Sequence, residues 1–237
     1  MTTDKGDDNT PVWSPDGSHI VFRSDRKGQY DLYRRTSGGA SADELLFESS
    51  DAKTPTGFSP DGRLLLFDRF IFQGKRADIW AMPATGGAPF ELVSTPFFEG
   101  HAAFSPDGRW FVYDSEEDGG QIFVQPFPPD GRRVRVSTTA GSMSPKWLAD
   151  GKRIVYVTLE RRFMAVDLTI SGREVRPGPP RELFRHSTRR DTARLVRDFA
   201  VDALGRRFLV ASPAEEGEGE SPLHVVLNWP AALRQRQ

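Results

Sequence analysis

The stretch Trp13-Ser14-Pro15-Asp16-Gly17-Ser18-His19-Ile20-Val21-Phe22 decides the fold, because it returns along the chain. Its turn recurs as Ser59-Pro60-Asp61-Gly62 and Ser105-Pro106-Asp107-Gly108. Looser copies follow as Leu148-Ala149-Asp150-Gly151 and Ala203-Leu204-Gly205. The glycines, at 17, 62, 108, 151 and 205, are spaced by 45, 46, 43 and 54 residues. A period in the middle forties is that of a four-stranded propeller blade. The turn itself has a mechanism. Proline presets φ for the first central position, aspartate bonds its own backbone, and glycine supplies the positive φ that ends the reversal.

The flanks of each turn read as strands. Before it stand Pro11-Val12-Trp13, Thr56-Gly57-Phe58, Ala102-Ala103-Phe104 and Pro145-Lys146-Trp147. After it come Ile20-Val21-Phe22, Leu64-Leu65-Leu66-Phe67, Trp110-Phe111-Val112-Tyr113, Ile154-Val155-Tyr156-Val157 and Phe208-Leu209-Val210. Runs this rich in β-branched and aromatic residues suit buried strands. A third strand is expected at Tyr30–Tyr33, Ala77–Met82, Gln121–Val124 and Phe163–Val166. A fourth is expected at Glu44–Phe47, Glu91–Val93, Arg135–Ser137 and Arg181–Phe184. The pattern predicts an all-β chain, a β-propeller of about five four-stranded blades over 10–50, 51–95, 96–140, 141–190 and 191–230. Trp13, Phe58, Phe104 and Trp147 are expected to pack between blades. A β-sandwich has similar turns but does not repeat at this period.

The residues also resemble a known family. Trp13-Ser-Pro-Asp-Gly, Ile20-Val-Phe-Arg-Ser-Asp-Arg, Gly28 and Asp31-Leu-Tyr33 resemble the WD40-like repeat of TolB-type propellers, as does Asp78-Ile-Trp-Ala-Met-Pro83 with Gly86-Gly87. Farther on stand Ile122-Phe-Val-Gln-Pro-Phe-Pro128, Val136-Ser-Thr138, Trp147, Asp150-Gly-Lys152, Met164-Ala-Val166, Leu183-Phe184, Gly205-Arg-Arg-Phe-Leu-Val210 and His224-Val-Val-Leu-Asn-Trp229. Together these look like the C-terminal propeller of large bacterial serine/threonine protein kinases. That resemblance implies an N-terminal cytoplasmic kinase domain and, usually, a membrane helix in the parent protein. The chain holds no Gly-rich phosphate loop, His-Arg-Asp or Asp-Phe-Gly, so kinase activity is not carried over. What carries over is the sensor or scaffold role.

The last blade supplies three strands, at Asp198–Val201, Arg207–Ala211 and Leu223–Trp229, and Met1-Thr2-Thr3 is a stub of a closing strand at most. The expectation is a piece of a larger propeller; a five-bladed ring closed by the stub is the rival reading. Propellers protect their edges by such closure.

Composition narrows function. With 32 Lys+Arg against 33 Asp+Glu, the formal charge is −1, which argues against nucleic acid as a partner. Cysteine is absent, which excludes disulfides and thiolate metal sites. No apolar run is long enough to span a bilayer and the first ten residues carry no signal-peptide pattern. The compartment is periplasmic or extracytoplasmic if the parent is membrane-anchored, and cytoplasmic otherwise.

The chemistry-bearing residues are scattered. There is no Gly-x-Ser-x-Gly elbow; Gly141-Ser142-Met143-Ser144 is the nearest likeness and reads as a polar inter-blade loop. His19, His101, His186 and His224 show no metal-ligand spacing, and no cofactor or metal is implied. His19 and His224 read as solvent-facing. Glu116-Glu117-Asp118, the acidic stretch Glu215–Glu220 and the basic stretch Arg185–Arg194 read as solvated loops. The candidate binding residues are Phe70 and Phe72, in a loop of blade two, Phe97 and Phe98, in the loop entering blade three, and His101 at the channel mouth. Exposed aromatics on one face mark a partner site. The expectation is a non-catalytic scaffold for a protein partner. The alternatives are the accessory propeller of a hydrolase, or a propeller for a small ligand or carbohydrate.

Overall fold

The computed structural model describes residues 5–38, 42–71, 74, 76–185 and 199–210. Their regular structure is almost entirely strand, in successive antiparallel meanders. Blade one holds β1 (Asp8–Trp13), β2 (His19–Ser24), β3 (Asp31–Thr36) and β4 (Glu44–Phe47). Blade two holds β5 (Ala52–Phe58), β6 (Leu64–Ile71), β7 (Arg76–Pro83) and β8 (Phe90–Val93). Blade three holds β9 (Glu99–Phe104), β10 (Trp110–Ser115), β11 (Gln121–Pro126) and β12 (Val134–Arg135). Blade four holds β13 (Ser142–Trp147), β14 (Arg153–Thr158), β15 (Arg162–Ser171), β16 (Glu174–Pro177) and β17 (Arg181–Arg185). The described part of blade five is the hairpin β18 (Phe199–Val201) with β19 (Phe208–Val210).

The repeated turn joins the first strand of each blade to the second, and its hydrogen bonds explain its composition. In blade two, the Ser59 hydroxyl donates to Asp61 Oδ1 at 2.6 Å and its oxygen accepts Leu64 N–H at 2.9 Å. Gly62 N–H closes onto Ser59 O at 2.9 Å. Blade three repeats this, with Ser105 Oγ 2.6 Å from Asp107 Oδ1 and 3.0 Å from Trp110 N. In blade one the Ser14 hydroxyl and the Ser18 amide hold the Asp16 carboxyl down to about 2. Gly17, Gly62, Gly108, Gly151 and Gly205 lie at φ from +63° to +71°, where a side chain is disfavoured.

Successive turns stack. A Cβ built on Gly62 would lie 3.7 Å from Pro15 Cδ, one on Gly108 3.6 Å from Pro60 Cδ, and one on Gly151 3.8 Å from Pro106 Cδ. Each glycine thus rests on the proline of the blade before it. At the fourth turn Ala149 replaces proline and regains an amide, which bonds Ala203 O of blade five at 3.1 Å.

The second strands of blades two and three bury both faces. Leu65 and Phe67 pack with Val21 and Leu32 of blade one, while Leu66 packs with Phe104, Phe111 and Tyr113 of blade three. In the same way Trp110 and Val112 meet Ile154 and Tyr156 of blade four. These are two-sided, near-continuous apolar runs, as a strand covered on both faces requires.

Some elements differ from the sequence-based expectation. Trp13 is 55% exposed. Its counterparts Phe104 and Trp147 pack on the preceding blade, and among the described residues no blade precedes blade one. His19 is half-buried rather than solvent-facing, its ring meeting Phe58 edge-on at 5.7 Å. Gly141–Ser144 is no loop: Ser142 opens strand β13, and Ser142 and Ser144 are buried. Strand β16 is an addition to the expected pattern. The long β15 pairs through its first half with β17 and through its second half with β16. Residues 186–198 and the strand expected at Leu223–Trp229 lie outside the described residues.

Replacing Ser105 with alanine strands the buried Trp110 amide, so Ser105→Ala is expected to cost about 1–2 kcal/mol. A lowered denaturant midpoint at unchanged m-value would show it; an unchanged midpoint would refute this role for the hydroxyl.

Candidate functional site

The inner strands of blades one to four are each bulged, and the bulges carry polar chemistry. Register shifts fall between Gly100 and Ala103 of β9, opposite Asp114 and Val112, and between Met143 and Lys146 of β13. In the bulges His101 sits at φ 54° and Ser144 at φ 52°, the left-handed region, as does Thr10 at φ 52° in β1. This tilts the amides of His101 and Ser144 toward the preceding blade. The second strand of that blade supplies the acceptor: Asp68 Oδ2 takes His101 N–H at 3.2 Å, and Asp114 Oδ2 takes Ser144 N–H at 2.6 Å. Asp68 and Asp114 each lie six residues after their turn glycine. Arg23 holds the same position in blade one and donates to Thr54 Oγ1 of blade two at 2.7 Å.

His101 joins the two carboxylates into one chain. Its Nδ1 lies 2.9 Å from Asp114 Oδ2 and 3.1 Å from Oδ1, while its amide holds Asp68. The Asp114 carboxylate, which outweighs the penalty of burial, raises the imidazole to about 9, with Lys146 opposing. The ring is therefore a cation at neutral pH, and its side chain remains 34% exposed. Asp68 is buried and its Oδ1 accepts no hydrogen bond. Burial pushes it up to about 7 against the pull of His101.

The aromatic candidates adjoin this chain. Phe70 and Phe98 are half-buried with ring centroids 5.7 Å apart, and Phe97 is 41% exposed. Phe70 lies in strand β6 rather than in a loop, because the strand continues unbroken to Ile71. A Cβ on Gly100 would come within 3.0 Å of Asp68 Oδ2 and 3.3 Å of Phe98 Cε1. Glycine there is what lets the aromatic pair and the buried carboxylate meet. Phe70 and Phe98 thus meet beside Asp68 and Gly100, with Phe97 and His101 next to them in sequence, while Phe72 lies outside the described residues. Asp68 and Asp114 are absent from the sequence-based candidates, although their shared phase in the repeat marks them. Among the described residues no group of three or more His, Cys, Asp or Glu is placed to hold a metal ion. No described helix is long and apolar enough to cross a membrane.

Solved structures share this architecture. That of the putative TolB from Agrobacterium tumefaciens superposes with a TM-score of 0.61 at 23% identity, covering 72% of this chain and 64% of that one. The chain is a TolB-like β-propeller in fold. TolB from Acinetobacter baumannii aligns with a TM-score of 0.59 at 21% identity, over 73% of this chain and 43% of that one. A puromycin-hydrolyzing peptidase of Mycobacterium tuberculosis aligns at 0.55 and 14% identity, over 75% of this chain and 31% of the peptidase. No family model matches the chain. Among curated proteins it is 32% identical over 115 residues to the uncharacterized protein Atu1656 of Agrobacterium fabrum, covering 48% of this chain and 36% of the relative. It is 26% identical over 140 residues to the uncharacterized peptidase YuxL of Bacillus subtilis, covering 44% and 21% respectively. The TolB-like chain thus spans about a third or less of the curated relatives it matches.

The two raised groups set a pH response. Asp68 ionises near 4 when unfolded and at about 7 when folded, so its protonated form favours the fold and stability falls between those values. His101, raised from 6.5 to about 9, contributes stability that is complete below 6.5 and lost as pH rises through 9. Asp68→Asn is expected to flatten the decline between about pH 4 and 7. His101→Asn, which tolerates the left-handed backbone, is expected to flatten it between 6.5 and 9. Urea unfolding at about pH 5, 7 and 9 measures both; slopes equal to wild type in the variants would refute the assignment.

Proposed function

We propose that this chain is a non-catalytic interaction propeller that grips a polypeptide partner at the rim of Phe70, Phe97, Phe98 and His101. The observation that carries this is Phe97, 41% exposed beside the half-buried Phe70–Phe98 pair and shortly ahead of the cationic His101. An exposed aromatic on a rigid frame, next to a polar group held in place, has the makeup of an interface anchor. The rings would take an apolar side chain, and the imidazolium would orient the partner's backbone or an acidic group. The frame is rigid because each rim residue belongs to, or abuts, a strand packed between neighbouring blades. The sequence resemblance supports a place for this propeller at the end of a receptor-like bacterial kinase or in a TolB-like protein.

A second reading, the accessory propeller of a peptidase, is supported by the sequence likeness to YuxL. In that reading the rim would serve a hydrolase domain of the parent protein.

Panning the purified chain against a random peptide library tests the rim. Enriched peptides are expected to carry an aromatic or aliphatic anchor and to bind Phe97→Ser at least about tenfold more weakly, about 1.4 kcal/mol. Peptides that bind this variant as tightly as wild type would refute the site. Turnover of ester or peptide substrates that disappears in Ser142→Ala would refute the non-catalytic reading.

A further inference from the structure

Lys53, Glu99 and Ser142 each lie nine residues before their turn glycine. They pair within their own sheets with Arg69, Ser115 and Thr158. In the blade before each, the same row ends on Asp31, Asp78 and Gln121 of the third strand. At the first joint Lys53 and Asp31 form a buried ion pair, and Lys53 also donates to Ser49 O at 3.1 Å. At the third joint the row is neutral. The Ser137 hydroxyl donates to Gln121 Oε1 at 2.6 Å, and the Ser142 hydroxyl to Thr139 O at 2.7 Å. The joint between blades two and three instead sets an acid against an acid. Asp78 is 1% and Glu99 0% exposed. Glu99 Oε1 accepts the Thr95 hydroxyl and, at 3.1 Å, that of Ser115. Glu99 Oε2 and Asp78 Oδ1 accept no hydrogen bond, and of these three rows only this one holds such oxygens.

The surrounding charges do not balance the pair. Arg76, on the strand of Asp78, has its Nε 3.5 Å from Asp78 Oδ1 and donates through Nη1 to Thr95 O at 3.2 Å. Arg69 on β6 is engaged by Asp51 and Lys53 on β5 by Asp31, while Glu91 on β8 adds a negative charge near Asp78. On β10, Ser115 is neutral and burial keeps the Tyr113 phenol so. Asp68 and Asp114 both hold His101, and Lys146 on β13 acts on that imidazole. Two carboxylates against the guanidinium of Arg76 leave one negative charge shut away from water, and burial raises both acids. One proton makes up the difference.

The pair is tied to the rim. The Thr95 hydroxyl that donates to Glu99 also accepts the Phe97 amide at 3.1 Å, and Phe98 O accepts the Glu116 amide at 2.9 Å. The loop 95–98 runs directly into Glu99 and hangs on its carboxyl.

We propose that Asp78 and Glu99 together hold one proton and latch this loop, closed while the proton is present and open once both ionise. As regulation of the partner site, the latch rests on the reading of Phe97 as an anchor. Closed, the joint is dry and Glu99 fixes Thr95 and hence Phe97. Open, two carboxylates draw in water, and the loop bearing the exposed Phe97 is the part of the joint that yields. The Thr95 and Ser115 hydroxyls pull the other way, since they favour an ionised Glu99. Two like charges buried together outweigh two neutral donors. The closed joint binds the proton and the open one releases it, so rising pH favours the open form.

The Phe97 amide resonance, followed from about pH 4 to 8 in a nitrogen-15 correlation spectrum, reads the latch with no partner present. Asp68→Asn is the background, which removes the titration of Asp68 from that interval. The expected result is one step with a midpoint above the ordinary carboxylate range. It is lost in Glu99→Gln, which is neutral and keeps an oxygen for Thr95. It moves down by about one unit in Asp78→Asn, which removes the like charge. Melting temperature checks that each variant is folded, and either one suffices for the test. A peptide that Phe97→Ser weakens is expected to bind the background protein at least about threefold more tightly near pH 5 than near pH 8, and Glu99→Gln equally at both. His101, raised to about 9, stays a cation across this interval. An amide that does not titrate, a step that survives Glu99→Gln, or a rim peptide with one affinity at both pH values would overturn the latch. So would a midpoint that follows sodium or calcium concentration, the mark of a metal ion in the proton's place. A step lost in Glu99→Gln while no peptide depends on Phe97 would uphold the latch and overturn the rim as the partner site.

Discussion

The middle blades depend on second strands that must be covered on both faces. Leu65 and Phe67 look toward blade one, Leu66 toward blade three, and all three are fully buried. A strand of this kind cannot stand in a single sheet facing water, and a helix would scatter its side chains around an axis. The chain satisfies it by setting the next blade alongside, and that blade's own second strand repeats the demand. Burial of apolar surface, at roughly 25 cal/mol per Å², is thus organised as a series of joints, each shared by two neighbours, and stability is approximately a sum over nearest neighbours.

The joints are alike in their apolar parts and unlike in their polar ones. Between blades one and two, Lys53 and Asp31 form a buried ion pair, which Lys53 completes by donating to Ser49 O at 3.1 Å. At the next joint the repeat places Glu99 where Lys53 stood and Asp78 where Asp31 stood. Burial raises both carboxyls. Arg76 takes over part of the lysine's role, donating to Thr95 O at 3.2 Å with its Nε 3.5 Å from Asp78. The rim residues and Asp68 lie at this same joint, where loss of solvent, rather than a full ion pair, favours the protonated form of the acidic groups.

The turns, the second strands and hence the order of the blades are legible in the sequence because a single phase governs them. The polar inner strands are harder to read. Gly141-Ser142-Met143-Ser144 has the composition of a loop, and pairing of Ser142 and Met143 with β14, with the Ser144 amide bonded to Asp114, makes it a strand. Phe70 reads as a loop residue because charged Asp68 and Arg69 interrupt its run; in the structure Asp68 turns inward to His101, and Arg69 pairs with Asp51 and lies over Trp80. The exposure of Trp13 has no local signal, since the position is buried only when another blade stands behind it. The β15–β16 hairpin does have one, Ile170-Ser-Gly-Arg-Glu-Val175, in which a glycine-bearing pair separates two strand-like segments.

The seating of each turn glycine on the proline behind it has an evolutionary side. A residue inserted into Ser59–Gly62 would displace contacts with Pro15 on one side and Gly108 on the other, so the inner ring of that face is locked in length. The third-to-fourth-strand connections outside it bear no such restraint. They range from the tight reversal at Thr85-Gly86-Gly87 in blade two to the full added hairpin of blade four, while Gly62, Gly108 and Gly151 keep their seats on the prolines behind them.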